Sequence, residues 1–272
     1  MTASIVGVPV GRLDGPVASH ANDFLAVEEP LEIRLGLQSF AVTMRTPGND
    51  LELAAGFLFS ENIIKSASQI RLLASLDEDP NIVMVQFEAE DQAGPARIER
   101  RFLVTSACGV CGKSSLEDLA SNKCPLLPAD GLRVDPSVIY RLADRLRRAQ
   151  AVFESTGGLH AAALFTTEGE LTEVREDVGR HNAVDKLIGA VLLHHLTPLE
   201  DSLMLVSGRA SFELVQKALM AGVPVLAAVG APSSLAVSTA ERCGMTLIGF
   251  LRDGRFNVYT HRNRIIGLEG LT

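Results

Sequence analysis

The sequence lacks an excess of positive charge, a cysteine framework and a long unbroken apolar helix pattern, and each absence excludes a class of function. With 25 Lys+Arg against 33 Asp+Glu, a formal net charge of −8, it offers no overall basic character for coating nucleic acid or an anionic membrane. Four cysteines in 272 residues are not a disulfide scaffold. The N-terminus has no basic residue before Arg12 and no long apolar core, so no secretory signal is expected there. Residues 218–240 carry no charge. However, Gly222, Pro224, Gly230, Pro232 and the Ser233-Ser234 pair divide that stretch into helix end, buried strand, turn and new helix, not a membrane span. A cytoplasmic protein without nucleic-acid or membrane partners is expected. Neither an internal repeat nor a low-complexity tract is present.

What is there is a globular composition, 47% hydrophobic and 21% charged, long enough for one large domain or two ordinary ones. The charge is divided unevenly. Residues 1–96 hold 5 basic and 14 acidic side chains, and residues 97–272 hold 20 basic and 19 acidic. The second part therefore suits an anionic ligand that the first would repel. Alternating or apolar runs predict strands at 31–35, 40–44, 82–87 and 98–105. A helix through Leu53, Phe57 and Leu58 is predicted after the Pro47–Asp50 turn, capped by Asn49 or Asp50. Pro125, Pro128 and Gly131 mark a connection. Beyond it, Asp135-Pro136 starts a helix whose stripe is Val138, Ile139, Leu142 and Leu146. Strands are then expected at 159–165, 171–175, 203–206, 225–229, 247–251 and 255–259, with helices at 183–195, 212–221 and 235–243. The expected fold is α/β: a smaller β-rich N-terminal lobe, residues 1–130, carrying a CxxC loop, and a C-terminal α/β lobe, residues 131–272, with helices covering the sheet.

Cys108 and Cys111 sit in Thr105-Ser106-Ala107-Cys108-Gly109-Val110-Cys111-Gly112-Lys113, where a strand runs toward a helix expected near Ser114. A helix N-terminus and a lysine both favour the thiolate. The flanking glycines remove bulk and widen the backbone options for access by a partner. Gly112-Lys113-Ser114 resembles the end of a Walker A loop, but the first glycine that loop needs would be residue 107, which is Ala107. Zinc deaminase chemistry is excluded: no histidine has Glu two positions on, and Ala107 precedes Cys108. A four-cysteine zinc site would need Cys124 and Cys243, which are far apart in sequence. A dithiol remains open, as does the bland reading of two small buried hydrophobes.

Four later clusters put small residues beside anion binders: Thr156–His160, Glu176–Lys186 with Arg180 and His181, Ser207–Ser211 with Arg209, and Phe250–Arg255. Strand ends and helix starts are where α/β sheets collect ligands, and arginine adds bidentate phosphate recognition. Taken singly, His160 and His181 also read as core histidines, and Arg252 and Arg255 as a solvated hairpin. Together the clusters point to a phosphorylated or nucleotide-bearing ligand. His194-His195 reads as a helix C-terminus and not as metal ligands.

These motifs, with the run 231–260, resemble the formate dehydrogenase accessory sulfurtransferase family over roughly residues 25–262. The 176–189 block, Glu-Asp-Val-Gly-Arg-His-Asn-Ala-Val-Asp-Lys-Leu-Ile-Gly, is the most specific of them. The resemblance implies a cytidine-deaminase-like C-terminal lobe and a sulfur carrier. Such a carrier moves sulfur from a cysteine desulfurase to the molybdenum cofactor, in its bis-molybdopterin guanine dinucleotide form, before insertion into formate dehydrogenase. It implies a persulfide at Cys108 with Cys111 as partner, and a cofactor-binding stretch at Phe250, Leu251, Arg252, Asp253, Gly254 and Arg255. Arg180, His181 and Arg209 join that expected site. The cofactor is a bound client, no resident metal is expected, and a homodimer is compatible. A cofactor chaperone that moves no sulfur, or a CxxC redox protein, stand as alternatives.

Overall fold

The structure is a computed structural model that describes residues 3–88, 102–103, 124–128 and 131–268. It begins with an antiparallel arm, β1 (Ile5–Asp14) and β2 (Val17–Ala26), turning at Gly15 and packing β2 on α3 (Ala151–Thr156). A five-stranded sheet follows. It is built from β3 (Glu29–Leu35), β4 (Gln38–Arg45), β5 (Ile70–Ser75), β6 (Ile82–Phe87) and β7 (Phe102–Leu103), in the order β5-β6-β3-β4-β7. Between β4 and β5 runs α1 (Asp50–Ser60). Asn49 takes its N-cap position in a left-handed conformation, at φ 59°, without a side-chain cap bond.

The second sheet has the order β13-β12-β11-β10-β8-β9. Its strands are β8 (His160–Phe165), β9 (Leu171–Asp177), β10 (Leu203–Val206), β11 (Val225–Ala228), β12 (Thr246–Arg252) and β13 (Arg255–Val258). Strands β10, β11 and β12 are parallel, whereas β8, β9 and β13 pair antiparallel with their neighbours. The result is the mixed α/β architecture expected from the sequence, with helices on both faces. One face carries α4 (Arg180–Leu193), α5 (Phe212–Met220) and α6 (Ser234–Cys243); the other carries α2 (Pro136–Ala149).

Strand alternation sorts the apolar side chains. Ala162, Leu164, Met204, Val206, Leu226 and Ala228 face the α4–α6 layer, while Ala161, Ala163, Phe165, Leu203, Leu205 and Val225 face α2. All are buried, which is why these strands read as continuous apolar runs. On α2, Asp135 accepts a 2.8 Å bond from the Ser137 amide, Pro136 occupies the first turn, and Val138, Ile139, Leu142 and Leu146 are buried as predicted. The uncharged stretch 218–240 resolves into the end of α5, strand β11, a turn and the start of α6. Among the described residues no helix is long and apolar enough to cross a membrane.

The first sheet joins the second through α1, which lies against α4. At the crossing two glycines meet. A Cβ on Gly56 would overlap the Asp185 carbonyl oxygen and come within 2.8 Å of the Gly189 nitrogen; one on Gly189 would overlap the Glu52 carbonyl. The backbones touch, and only glycine permits that approach. Around the crossing the polar side chains of α4 are consumed. Lys186 pairs with Asp177 at 2.7 Å, and Asp185 accepts from Lys217 at 2.8 Å and from Ser60 at 2.9 Å. Near the C-terminus, the buried Arg264 donates to the carbonyls of Gly244 and Pro128, so it ties residues 124–128 to the second sheet.

Candidate functional site

Strand direction decides where the predicted clusters meet. Because β8 and β13 run opposite to β10–β12, one sheet edge collects the starts of β8 and β13 with the ends of β9, β10, β11 and β12. His160, Asp177–Arg180, Ser207–Arg209 and Phe250–Arg255 therefore all lie along that edge. So do the N-termini of α4, α5 and α6, whose amide dipoles add partial positive charge. Ser233 caps α6 through the Ala236 amide, but Gly179 and Ser211 give α4 and α5 no side-chain cap.

The glycines at this edge let the strand ends approach. A Cβ on Gly208 would sit 3.3 Å from His160 Nδ1 and 4.0 Å from the Arg180 side chain, which places those three residues together. A Cβ on Gly230 would come 3.0 Å from the Gly208 carbonyl. Asp253 (φ 53°) and Gly254 (φ 68°) form a two-residue hairpin turn between the paired Arg252 and Arg255; left-handed values at both positions are the type I′ geometry. Phe250 is also left-handed, at φ 54°, beside the irregularity in β12, with its amide bonded to the Gly230 carbonyl at 3.0 Å. A bulky residue held there stores about 1–3 kcal/mol of strain, a common mark of functional loops. Its ring lies under the Arg252 guanidinium at 5.9 Å. Leu251 points into the core and is 1% exposed, so its share in the site is backbone.

Charge pairing separates this edge from the rest of the molecule. Elsewhere four buried or partly buried cations are neutralised, Arg45 by Asp50 at 2.9 Å, Arg175 by Glu52 at 2.5 Å, Lys186 by Asp177 and Lys217 by Asp185, while buried Arg264 is bonded to carbonyls. Along the edge, Arg180, Arg209, Arg252 and Arg255 have no carboxylate partner among the described residues. The Arg180 Nε is buried without any hydrogen bond. His160 and His181 add no charge at neutral pH. Burial, followed by the nearby Arg180, lowers the His160 pKa, and burial with Lys217 and Arg180 brings His181 down to about 4. The His181 Nε2 lies 3.5 Å from the Ser211 hydroxyl.

A cavity of about 680 Å³ opens onto the edge. Arg252, Asp253, Gly254, His160 and Ser207 border it from the sheet, and Tyr140, Asp144, Gln150 and Phe153 from α2, α3 and the turn between them. Sequence reasoning missed this second wall because its residues form no motif and come together only when α2 packs on the sheet. A second cavity, about 890 Å³, lies by the 46–51 turn, but its lining charges Arg175 and Lys186 are already paired. Cys108 and Cys111 lie outside the described residues. Cys243 is buried and Cys124 packs against the same core. Among the described residues no group of His, Cys, Asp and Glu is arranged to hold a metal.

A family model described as FdhD/NarQ matches residues 26–266. The chain is 50% identical over 260 residues to a protein of Streptomyces coelicolor named sulfur carrier protein FdhD, covering 93% of this chain and 92% of that one. It is 46% identical over 263 residues to the protein of the same name from Sulfurisphaera tokodaii, covering 95% and 98%. A crystal structure from Desulfotalea psychrophila, assigned as a formate dehydrogenase accessory protein, superposes with a TM-score of 0.77 at 25% identity. It covers 97% of this chain and all of its own.

Proposed function

The chain belongs to the FdhD/NarQ family and acts as a sulfur carrier, and on that premise we propose that it works as a sulfurtransferase between a cysteine desulfurase and the molybdenum cofactor destined for formate dehydrogenase. The Cys108 thiolate attacks the outer sulfur of the desulfurase persulfide. One S–S bond forms as another breaks, and the desulfurase leaves with its thiolate restored. The product is a Cys108 persulfide. Attack of the Cys111 thiolate on Cys108 then expels the outer sulfur as sulfide and leaves a Cys108–Cys111 disulfide, which a thiol reductant reopens.

The observation that supports a cofactor site is the unpaired cationic edge. Arg180, Arg209, Arg252 and Arg255 and the uncapped starts of α4 and α5 lie along one sheet edge, and Arg252 there borders a cavity large enough for a nucleotide half of the cofactor. Guanidinium groups match phosphate oxygens two at a time, and a held cofactor receives sulfur without a second diffusive encounter. Two measurements test this reading. Mixing persulfidated desulfurase with the protein is expected to add the mass of one sulfur, about 32 Da, and Cys108→Ala with Cys111→Ala is expected to abolish the gain. No gain, or one surviving both substitutions, removes the carrier chemistry from these cysteines. Millimolar GDP is expected to raise the melting temperature, an effect diminished in Arg252→Ala; no shift with the wild type removes the nucleotide site.

A further inference from the structure

We propose that Asp144 and Gln150 are specificity-determining residues that read the amide–amino edge of a 2-amino-oxopyrimidine ring, the edge shared by guanine and a pterin, in the cavity beside the cationic edge. The inference rests on the cofactor reading above and extends it from the phosphates to the ring.

Gln150 ends α2 and begins α3 with φ −82° and ψ 81°, so the chain turns at the cavity wall. Its side chain is 4% exposed, yet its Nε2 is buried with no hydrogen-bond partner. A side-chain amide is seldom left so inside a protein unless a ligand or a water completes it. Six residues earlier, Asp144 borders the same cavity, exposed and with no ion pair or hydrogen bond among the described residues. The wall therefore holds an idle donor and an idle pair of acceptors.

Its apolar parts suit a flat ring. Phe153 lies beneath the Arg147 guanidinium at 4.4 Å, and Tyr140 leans on Phe256 with ring centres 5.0 Å apart. The α3 segment is held in place by the Glu176 carboxylate, which accepts from the Val152 and Phe153 amides at 3.0 and 2.9 Å.

A carboxylate takes two parallel N–H donors best. Guanine and pterins present that pair, a ring N–H beside an exocyclic amino group, with a carbonyl next to it to accept from the glutamine. Adenine and cytosine put a ring acceptor beside their amino group, and uracil flanks its one N–H with two carbonyls, so each sets lone pairs against Asp144. The phosphate at the other end of such a ligand falls to Arg252 of the turn, which borders the same cavity.

Calorimetric titration of the full chain with GDP, IDP, ADP and inorganic pyrophosphate tests the proposal, with competition by a phosphorylated 2-amino-4-oxopteridine as a further arm. GDP is expected to bind about tenfold or more tighter than ADP, with IDP, which lacks the 2-amino group, in between. Asp144→Asn is expected to bring GDP to the ADP level while leaving ADP unchanged. Gln150→Leu is expected to weaken GDP alone. Because Asp144 is exposed, its substitution tests recognition without disturbing the core. Competition by the pterin assigns the edge to both rings, and its failure assigns it to guanine alone. Equal affinities for GDP and ADP would overturn the ring reading and leave the phosphate grip standing. If neither nucleotide nor pyrophosphate binds, the cofactor site itself falls, and this proposal with it.

Discussion

His181 shows how burial sets the charge state of a group next to the cationic edge. It is 6% exposed, with Lys217 and Arg180 close enough to oppose a second positive charge and Glu213, at 3.9 Å, too weak to offset them. Its pKa of about 4 lies below the unfolded value near 6.5. Above pH 6.5 both states are neutral and the residue contributes nothing to the pH dependence. As pH falls from 6.5 toward 4, the unfolded chain takes a proton that the native chain refuses, and stability drops by up to about 3 kcal/mol. His160, depressed chiefly by burial, acts in the same direction. The urea midpoint is therefore expected to be lower at pH 5 than at pH 7, with a shallower decline in His181→Asn. An identical decline in the variant would deny that the buried imidazole is its source. The sequence marked His181 as important; only its neighbours reveal it as a neutral group beside Arg180 and not a further cation.

At the scale of elements, the α1–α4 crossing turns two apparent weaknesses into a requirement. A glycine inside a helix costs about 1 kcal/mol against alanine, so Gly56 and Gly189 taken alone argue against helix. Their backbones meet, and any side chain would drive the helices apart. Gly56→Ala and Gly189→Ala are each expected to destabilise by at least about 3 kcal/mol, read as a fall in the urea midpoint. A midpoint at or above that of the wild type would contradict the close approach.

Several element boundaries were legible and others were not, for local reasons. Strands β10 and β13 and helices α5 and α6 fall close to the expected positions. Helix α4 starts at Arg180, three residues before the expected 183, because its cap is Gly179 and not a serine or aspartate. Its buried Asn182, Asp185 and Lys186 also break the amphipathic pattern. Strand β5 was missed because the irregularity between Ile70 and Leu72 spoils its alternation. The β1–β2 arm was missed because most of its residues are exposed and bury no apolar face.

Over the whole molecule, the two sheets share one core. Leu31, Ile33, Val83 and Val85 from the first sheet belong to the same buried cluster as Val184, Ile188, Met204 and Leu226 from the α4–α6 side of the second. Polar bonds cross the same junction: Lys186 to the Thr46 carbonyl at 2.8 Å, Asn182 to the Met44 carbonyl at 2.7 Å, and Arg175 to Glu52. Loss of either sheet would leave both the apolar cluster and these polar groups uncovered. Chemical denaturation is expected to give one transition, coincident by far-UV circular dichroism and tyrosine fluorescence. Residues 131–272 produced alone are expected to bind a hydrophobic dye. Two separated transitions, or a well-folded fragment that excludes the dye, would show that the lobes are independent.

The sequence by itself determined the α/β class, most helices and strands of the second sheet, and the four clusters of glycine, arginine and histidine. Those features are local, set by periodicity, turn chemistry and capping. Tertiary structure decided which clusters meet, because the direction of each strand fixes the edge its ends reach. It decided which cations stay unpaired, since Arg175 and Lys217 find their carboxylates 123 and 32 residues away along the chain. It also placed Asp144 and Gln150 on the cavity that the turn borders. Pairing and encirclement depend on distance in space, which the order of residues encodes only through the completed fold.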